Sequence, residues 1–153
     1  MVYFGGVLAV AKIAKVPTWV QDEQLRYQIG LSLIPGVGDI TAKKLVAFCG
    51  GVEAVFREKK HTLEKIPTIG PAVANAVYSQ TVLGKADQEL AFIRQHGITA
   101  HWYLDESYPH RLRHCEDGPV MLYTKGRLNL NAPRTVSIVG TRKCTNYGRQ
   151  FCE

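Results

Sequence analysis

Ile34-Pro-Gly-Val-Gly38 and Ile66-Pro-Thr-Ile-Gly70 are one pattern written twice, 32 residues apart. Ahead of the first, Leu25, Ile29 and Leu33 recur at four-residue spacing from Asp22 onward, the period of one helix face. Behind it, Ile40, Leu45, Val46 and Cys49 mark a second helix from Asp39, which Gly50-Gly51 ends. The proline stops the incoming helix, and a glycine permits the positive φ of a tight turn. The second copy leads, through Pro71, into another helix carrying Ala76 and Val77 and reaching toward Val82. A short helix over Val52 to Phe56 lies between the copies. A last helix, Asp87 to His96, carries Leu90 and Ile93 and stops at Gly97. Residues 21–96 therefore predict an all-α domain of two tandem helix-hairpin-helix units, SAM-like in organisation.

The period changes at Gly97. Ile98-Thr-Ala-His-Trp-Tyr103 alternates and is β-prone, Pro109 to His114 predicts a brief helix, and Val120 to Thr124 a second strand. Arg134-Thr-Val-Ser-Ile-Val139 is a β-branched run expected to form a third, buried strand. Residues 97–153 then predict the start of a Rossmann-like α/β domain, and the chain as a whole is α+β to α/β. A βαβ unit needs about 30 residues, and five follow Gly148. The expectation is a fragment of a longer domain; the alternative is a sheet that another chain completes. Residues 1–20 are set apart as an N-terminal extension. Val2 to Val10 is apolar but has no basic stretch before it, has Lys12 and Lys15 after it, and is too short to span a bilayer.

Charge narrows the partner. Nineteen Lys and Arg against thirteen Asp and Glu leave a net charge of +6, which favours an acidic partner, with nucleic acid ahead of membrane. Residues 1–90 hold 10 basic and 8 acidic side chains, whereas residues 91–153 hold 9 and 5, so the excess lies in the second part. Cys49, Cys115, Cys144 and Cys152 contain no C-x-x-C pair and suit neither a zinc ribbon nor an iron–sulfur cluster. Such usage fits a reducing, cytoplasmic setting. His110, His114 and Cys115 have helical spacing but no companion ligands, so they predict a polar helix face and no metal. Asp105-Glu106 and Glu116-Asp117 are adjacent pairs with no catalytic spacing. No cofactor and no catalytic residue is expected.

The stretch Ser137-Ile-Val-Gly-Thr-Arg-Lys-Cys-Thr-Asn-Tyr-Gly148 reads as a strand, a glycine and a helix start, and no acid occurs from Gly118 to Cys152. Exposed backbone N–H groups there, with Arg142, Lys143 and Arg149 around them, suit a phosphate. The full dinucleotide spacing G-x-G-x-x-G is not met. Val139-Gly140-Thr141-Arg142 followed by Thr145-x-Tyr147-Gly148 resembles the entry motif of the DprA/Smf family of DNA-processing proteins. Tyr108-Pro109, Asp117-Gly-Pro119-Val-Met-Leu122 and Gly126 match the approach to it, so that the likeness runs from about Leu25 to Glu153.

That resemblance implies a non-enzymatic protein that binds incoming single-stranded DNA without base preference during natural transformation and helps load the RecA recombinase. It also implies a self-associating Rossmann-like core. Carried over residue by residue, Gly140 would let a strand approach the backbone, Arg142 would pair with a phosphate, and Thr145 and Gly148 would shape the turn. Tyr147 would pack the loop or stack a base. Thr141, where many relatives have serine, keeps the hydroxyl, and Lys143 and Arg149 would add charge. In the first hairpin, Gly36, Gly38, Lys43 and Lys44 form a second candidate DNA contact, through helix N–H groups and two ammonium groups. Two alternatives stay open: a helix-hairpin-helix protein that binds double-stranded DNA in repair, and a Rossmann enzyme that cradles a nucleotide at Gly140.

Overall fold

The computed structural model of the chain describes residues 18–136, 139 and 145–152. Its fold is α+β and mostly helical. The helices are α1 (Thr18–Ser32), α2 (Asp39–Cys49), α3 (Val52–Arg57), α4 (Lys60–Leu63), α5 (Pro71–Ser79), α6 (Leu83–Gln95), α7 (His110–Arg113) and α8 (Asn146–Cys152). The strands are β1 (Ile98–Trp102), between α6 and α7, and β2 (Met121–Lys125), between α7 and α8.

The doubled pattern folds twice into one turn. In the first copy the Val37 N–H donates to the Ile34 carbonyl at 3.1 Å, and in the second the Ile69 N–H donates to that of Ile66 at 3.0 Å. Each turn has proline at its second position and a positive φ at its third: 80° at Gly36 and 76° at Thr68. This is the type II β-turn, which favours glycine at the third position; threonine holds the same conformation at a steric cost. Gly38 and Gly70 then stand extended ahead of α2 and α5, with ψ of 177° and 167°. The buried positions repeat with the same offset: Leu31 with Leu63, Ile34 with Ile66, Ala42 with Ala74, and Leu45 with Val77. These eight side chains belong to the helical core, as do Ile29, Val55, Phe56 and Ala86.

Helix α6 closes the bundle against α1. Arg26 donates to Asp87 through Nε at 2.5 Å and Nη2 at 3.0 Å, and Arg94 pairs with Asp22 one helix end away. The helix begins at Leu83 rather than Asp87, because Val82, Leu83 and Ala86 are apolar and bury against the bundle. Helix α4 has no counterpart among the expected elements; four residues are too few to show a period.

Strands β1 and β2 pair antiparallel, Ile98 opposite Lys125 and Trp102 opposite Met121. Alternation sends Ile98, Ala100, Trp102 and Met121 to the helices, where they join the same core cluster. The sheet is thus packed on the bundle, with the change of structure at Gly97 as expected. On the other face His101 is buried and satisfied at both ring nitrogens, by Ser107 and Thr124 hydroxyls at 2.9 Å each.

The expected third strand differs. Among its described residues Arg134 to Val136 and Val139 are not in a strand, and Val136 and Val139 are 90% and 91% exposed. A β-branched run becomes a strand only beside a partner, and among the described residues β1 and β2 pair only with each other. No parallel pair occurs among them.

Candidate nucleic-acid interface

Of the basic loop, Gly140, Thr141, Arg142 and Lys143 lie outside the described residues; its helical side is described. Thr145 caps α8: its Oγ1 accepts the Gly148 N–H at 3.1 Å, and its carbonyl accepts the Arg149 N–H at 3.0 Å. Tyr147 is 77% exposed and Arg149 is exposed beside it. Ahead of the loop in sequence, Lys125, Arg127 and Arg134 are all exposed. The loop's approach is anchored by Arg111, whose guanidinium donates to the Ala132 and Pro133 carbonyls at 3.1 and 3.2 Å. The Asn131 side chain accepts the His110 N–H at 2.8 Å. His110-Arg-Leu-Arg-His114 was a visible basic run in the sequence, but only the fold shows Arg111 holding this segment.

The first hairpin is less open to an anion than its sequence implies. Asp39, the first residue of α2, places a carboxylate at the helix N-terminus, where the dipole favours negative charge. That carboxylate accepts the Val120 N–H at 2.8 Å. Lys43 Nζ donates to the Cys115 and Glu116 carbonyls at 3.1 and 2.8 Å and lies 5.8 Å from the Tyr103 ring centroid. Asp39 and Lys43 therefore tie α2 to the segment before β2. Lys44 is exposed and makes no ion pair among the described residues. Gly36 makes the turn, and Gly38 gives α2 its extended entry without a side-chain cap.

The residues leading up to the loop are held by packing. Tyr108 is fully buried, and its hydroxyl donates to the Pro119 carbonyl at 2.5 Å. Burial pushes its pKa up from the usual tyrosine value. A Cβ on Gly118 would stand 2.6 Å from the Leu112 carbonyl oxygen and 3.1 Å from that of Cys115. Only glycine fits there. Tyr108-Pro109 and Gly118-Pro119 thus lock the α7 loop against β2.

With that geometry in place, the matches to known proteins acquire a location. Residues 99–153 match the family described as DNA recombination-mediator protein A. The DNA processing protein DprA of Bacillus subtilis (strain 168) is 37% identical over 67 residues, which is 43% of this chain and 23% of that protein. Residues 99–153 are thus the part of the chain that is similar to this family. It comprises nearly all of β1, the Tyr108–Pro119 lock, β2, the basic loop and α8. A DNA ligase of Marinobacter nauticus is 35% identical over 63 residues, 41% of this chain and 9% of the ligase. The chain thus aligns with less than a quarter of the length of either curated relative. No solved structure matches it. Within the matched segment Tyr108 and Gly118 serve the fold, while Lys125, Arg127, Arg134 and Arg149 are exposed. Among the described residues no helix is long and apolar enough to cross a membrane.

Proposed function

We propose that this chain binds single-stranded DNA without base preference, as part of a DprA-type DNA-processing protein acting in recombination. The observation that carries the proposal is that the DprA-family segment coincides with the region of greatest positive charge, where Gly118 to Cys152 contains no acid. The two turn-linked helix pairs are then tandem helix-hairpin-helix units, SAM-like in arrangement, and residues from 97 onward begin a Rossmann-like domain. The protein acts in the cytoplasm during natural transformation, without catalysis, passing the strand to RecA and self-associating through its core. Arg142 pairs with a phosphate, Gly140 and Thr141 admit the backbone, and Thr145 and Gly148 set the direction of the following helix. Lys143 and Arg149 add charge, and exposed Tyr147 offers a stacking face.

Affinity of this kind is electrostatic. About three phosphate contacts at roughly 0.7 counterions each give a salt slope near −2 on single strands, with non-specific dissociation constants of about 10⁻⁴ to 10⁻⁶ M. Fluorescence anisotropy of a labelled oligothymidylate tests the site. Arg142→Ala is expected to weaken binding at low salt and to make the slope shallower by about 0.7. An Arg142→Ala protein that binds as the parent does removes the loop from the account.

A second reading, binding of duplex DNA by the hairpins, is favoured by the similarity to a DNA ligase. It predicts that unlabelled duplex displaces the oligothymidylate from the parent protein, and a duplex that does not compete favours the single-strand reading.

A further inference from the structure

Between α2 and the second turn lies an open groove of about 410 Å³, lined by Lys44, Ala47, Phe48, Ile66 and Pro67. Its volume is within the roughly 300–1,000 Å³ of small-ligand sites. Phe48 is 54% exposed, one turn along α2 from Lys44 and hence on the same helix face. Ile66 is buried at the floor, and Pro67 forms the opposing wall as the second residue of its turn. No acidic residue lines the groove. Lys65, the neighbour of Ile66, is exposed at its sequence edge, and Glu64 faces Lys60 at 4.0 Å. The contrast with Lys43 is informative: one ammonium is consumed by carbonyls within the fold, and its neighbour stands beside an uncovered aromatic ring.

We infer that this groove stacks one unpaired base of a single strand on Phe48, with the adjoining phosphate on Lys44. A planar aromatic face, an apolar opposing wall and a cation within one helical turn are what sequence-tolerant single-strand binding uses. An apolar groove whose one charged lining residue is a lysine complements a ligand that is flat and apolar in one part and anionic in the next. No residue of the basic loop lines this groove, and the inference rests on the single-strand reading above.

The test uses the full chain, a labelled oligothymidylate and an abasic oligomer of equal length. Phe48→Leu keeps apolar bulk but loses the ring face, and it is expected to weaken oligothymidylate binding about five- to a hundredfold. Phe48→Trp restores a ring and is expected to keep the affinity of the parent. The parent is expected to prefer oligothymidylate to the abasic strand, and Phe48→Leu to lose that preference. Equal binding by Phe48→Leu and parent, with the parent binding well, overturns the groove and leaves the single-strand reading standing. A polyglutamate peptide that displaces the strand from the parent, while binding poorly to Phe48→Leu, overturns it in favour of an acidic polypeptide. Failure of the parent to bind either oligomer removes both.

Discussion

Leu31, Ile34, Ala42 and Leu45 in the first helix pair stand where Leu63, Ile66, Ala74 and Val77 stand in the second, and all eight are buried. The turns between them agree to a few degrees at the strained residue, although one has glycine and the other threonine. The surroundings differ. In the first pair, the fifteen-residue α1 is bound to α6 by two ion pairs, and α2 is tied to the segment before β2 by Asp39 and Lys43. In the second pair, α4 has four residues and α5 opens with a proline and carries no charged side chain. Repeated burial thus fixes the turn strongly enough to hold Thr68 at positive φ, while unrepeated polar residues decide what each turn joins. The turn is a packing device first, and Lys44 and Phe48, which distinguish the groove beside it, lie outside the repeated pattern.

The largest effects should fall on the shared core. Leu31→Ala and Leu63→Ala should each destabilise by about 2–5 kcal/mol, as buried leucines do when truncated. Urea melts that show similar losses at both sites support equivalent roles. If Leu63→Ala costs nothing measurable, α4 is an appendage and the comparison breaks.

A smaller effect should separate the turns. Thr68→Gly relieves a left-handed conformation worth about 1–2 kcal/mol and loses about 0.5–1 kcal/mol to glycine's unfolded-state freedom. The expected outcome is a gain of about 1 kcal/mol or less, and Gly36→Thr should lose a similar amount. No change in either variant would mean that the unfolded state, rather than the turn, sets the balance.

The smallest effect belongs to the tie that only the first pair has. The Arg26 hydrogen bond holds the Asp87 carboxyl below the usual aspartate range. Its contribution is present above the unfolded pKa of about 3.9 and is lost as the pH falls through the lowered folded value. Both side chains are partly exposed, so Asp87→Asn should cost only about 0–1 kcal/mol at neutral pH. That cost should vanish in acid below the carboxylate range. A cost that persists unchanged there would assign the effect to packing.

The helices were legible where residues met their own neighbours. Asp39 and Gly50 bracket α2 as the sequence implied, because an apolar period and a left-handed glycine are local signals. Helix α6 was read four residues short, since Leu83 and Ala86 show their apolar role only against the bundle. The described residues of the run from Arg134 are not in a strand, since β-propensity needs a partner. At the candidate site, Lys43 has the sequence features of a DNA contact, yet its acceptors lie 72 and 73 residues onward. Asp39 similarly reaches 81 residues to Val120. Such contacts leave no mark on spacing. Phe48 was missed for the opposite reason: an aromatic at helical period looks like core until its exposure is seen.

In the proposed function, the phosphate charge of single-stranded DNA is what this chain holds. The direct measurement is oligothymidylate affinity across a salt series, with an unlabelled duplex as competitor. A logarithmic slope near −2, with little displacement by duplex, is the predicted result. Binding that does not change with salt, or that duplex abolishes, contradicts it.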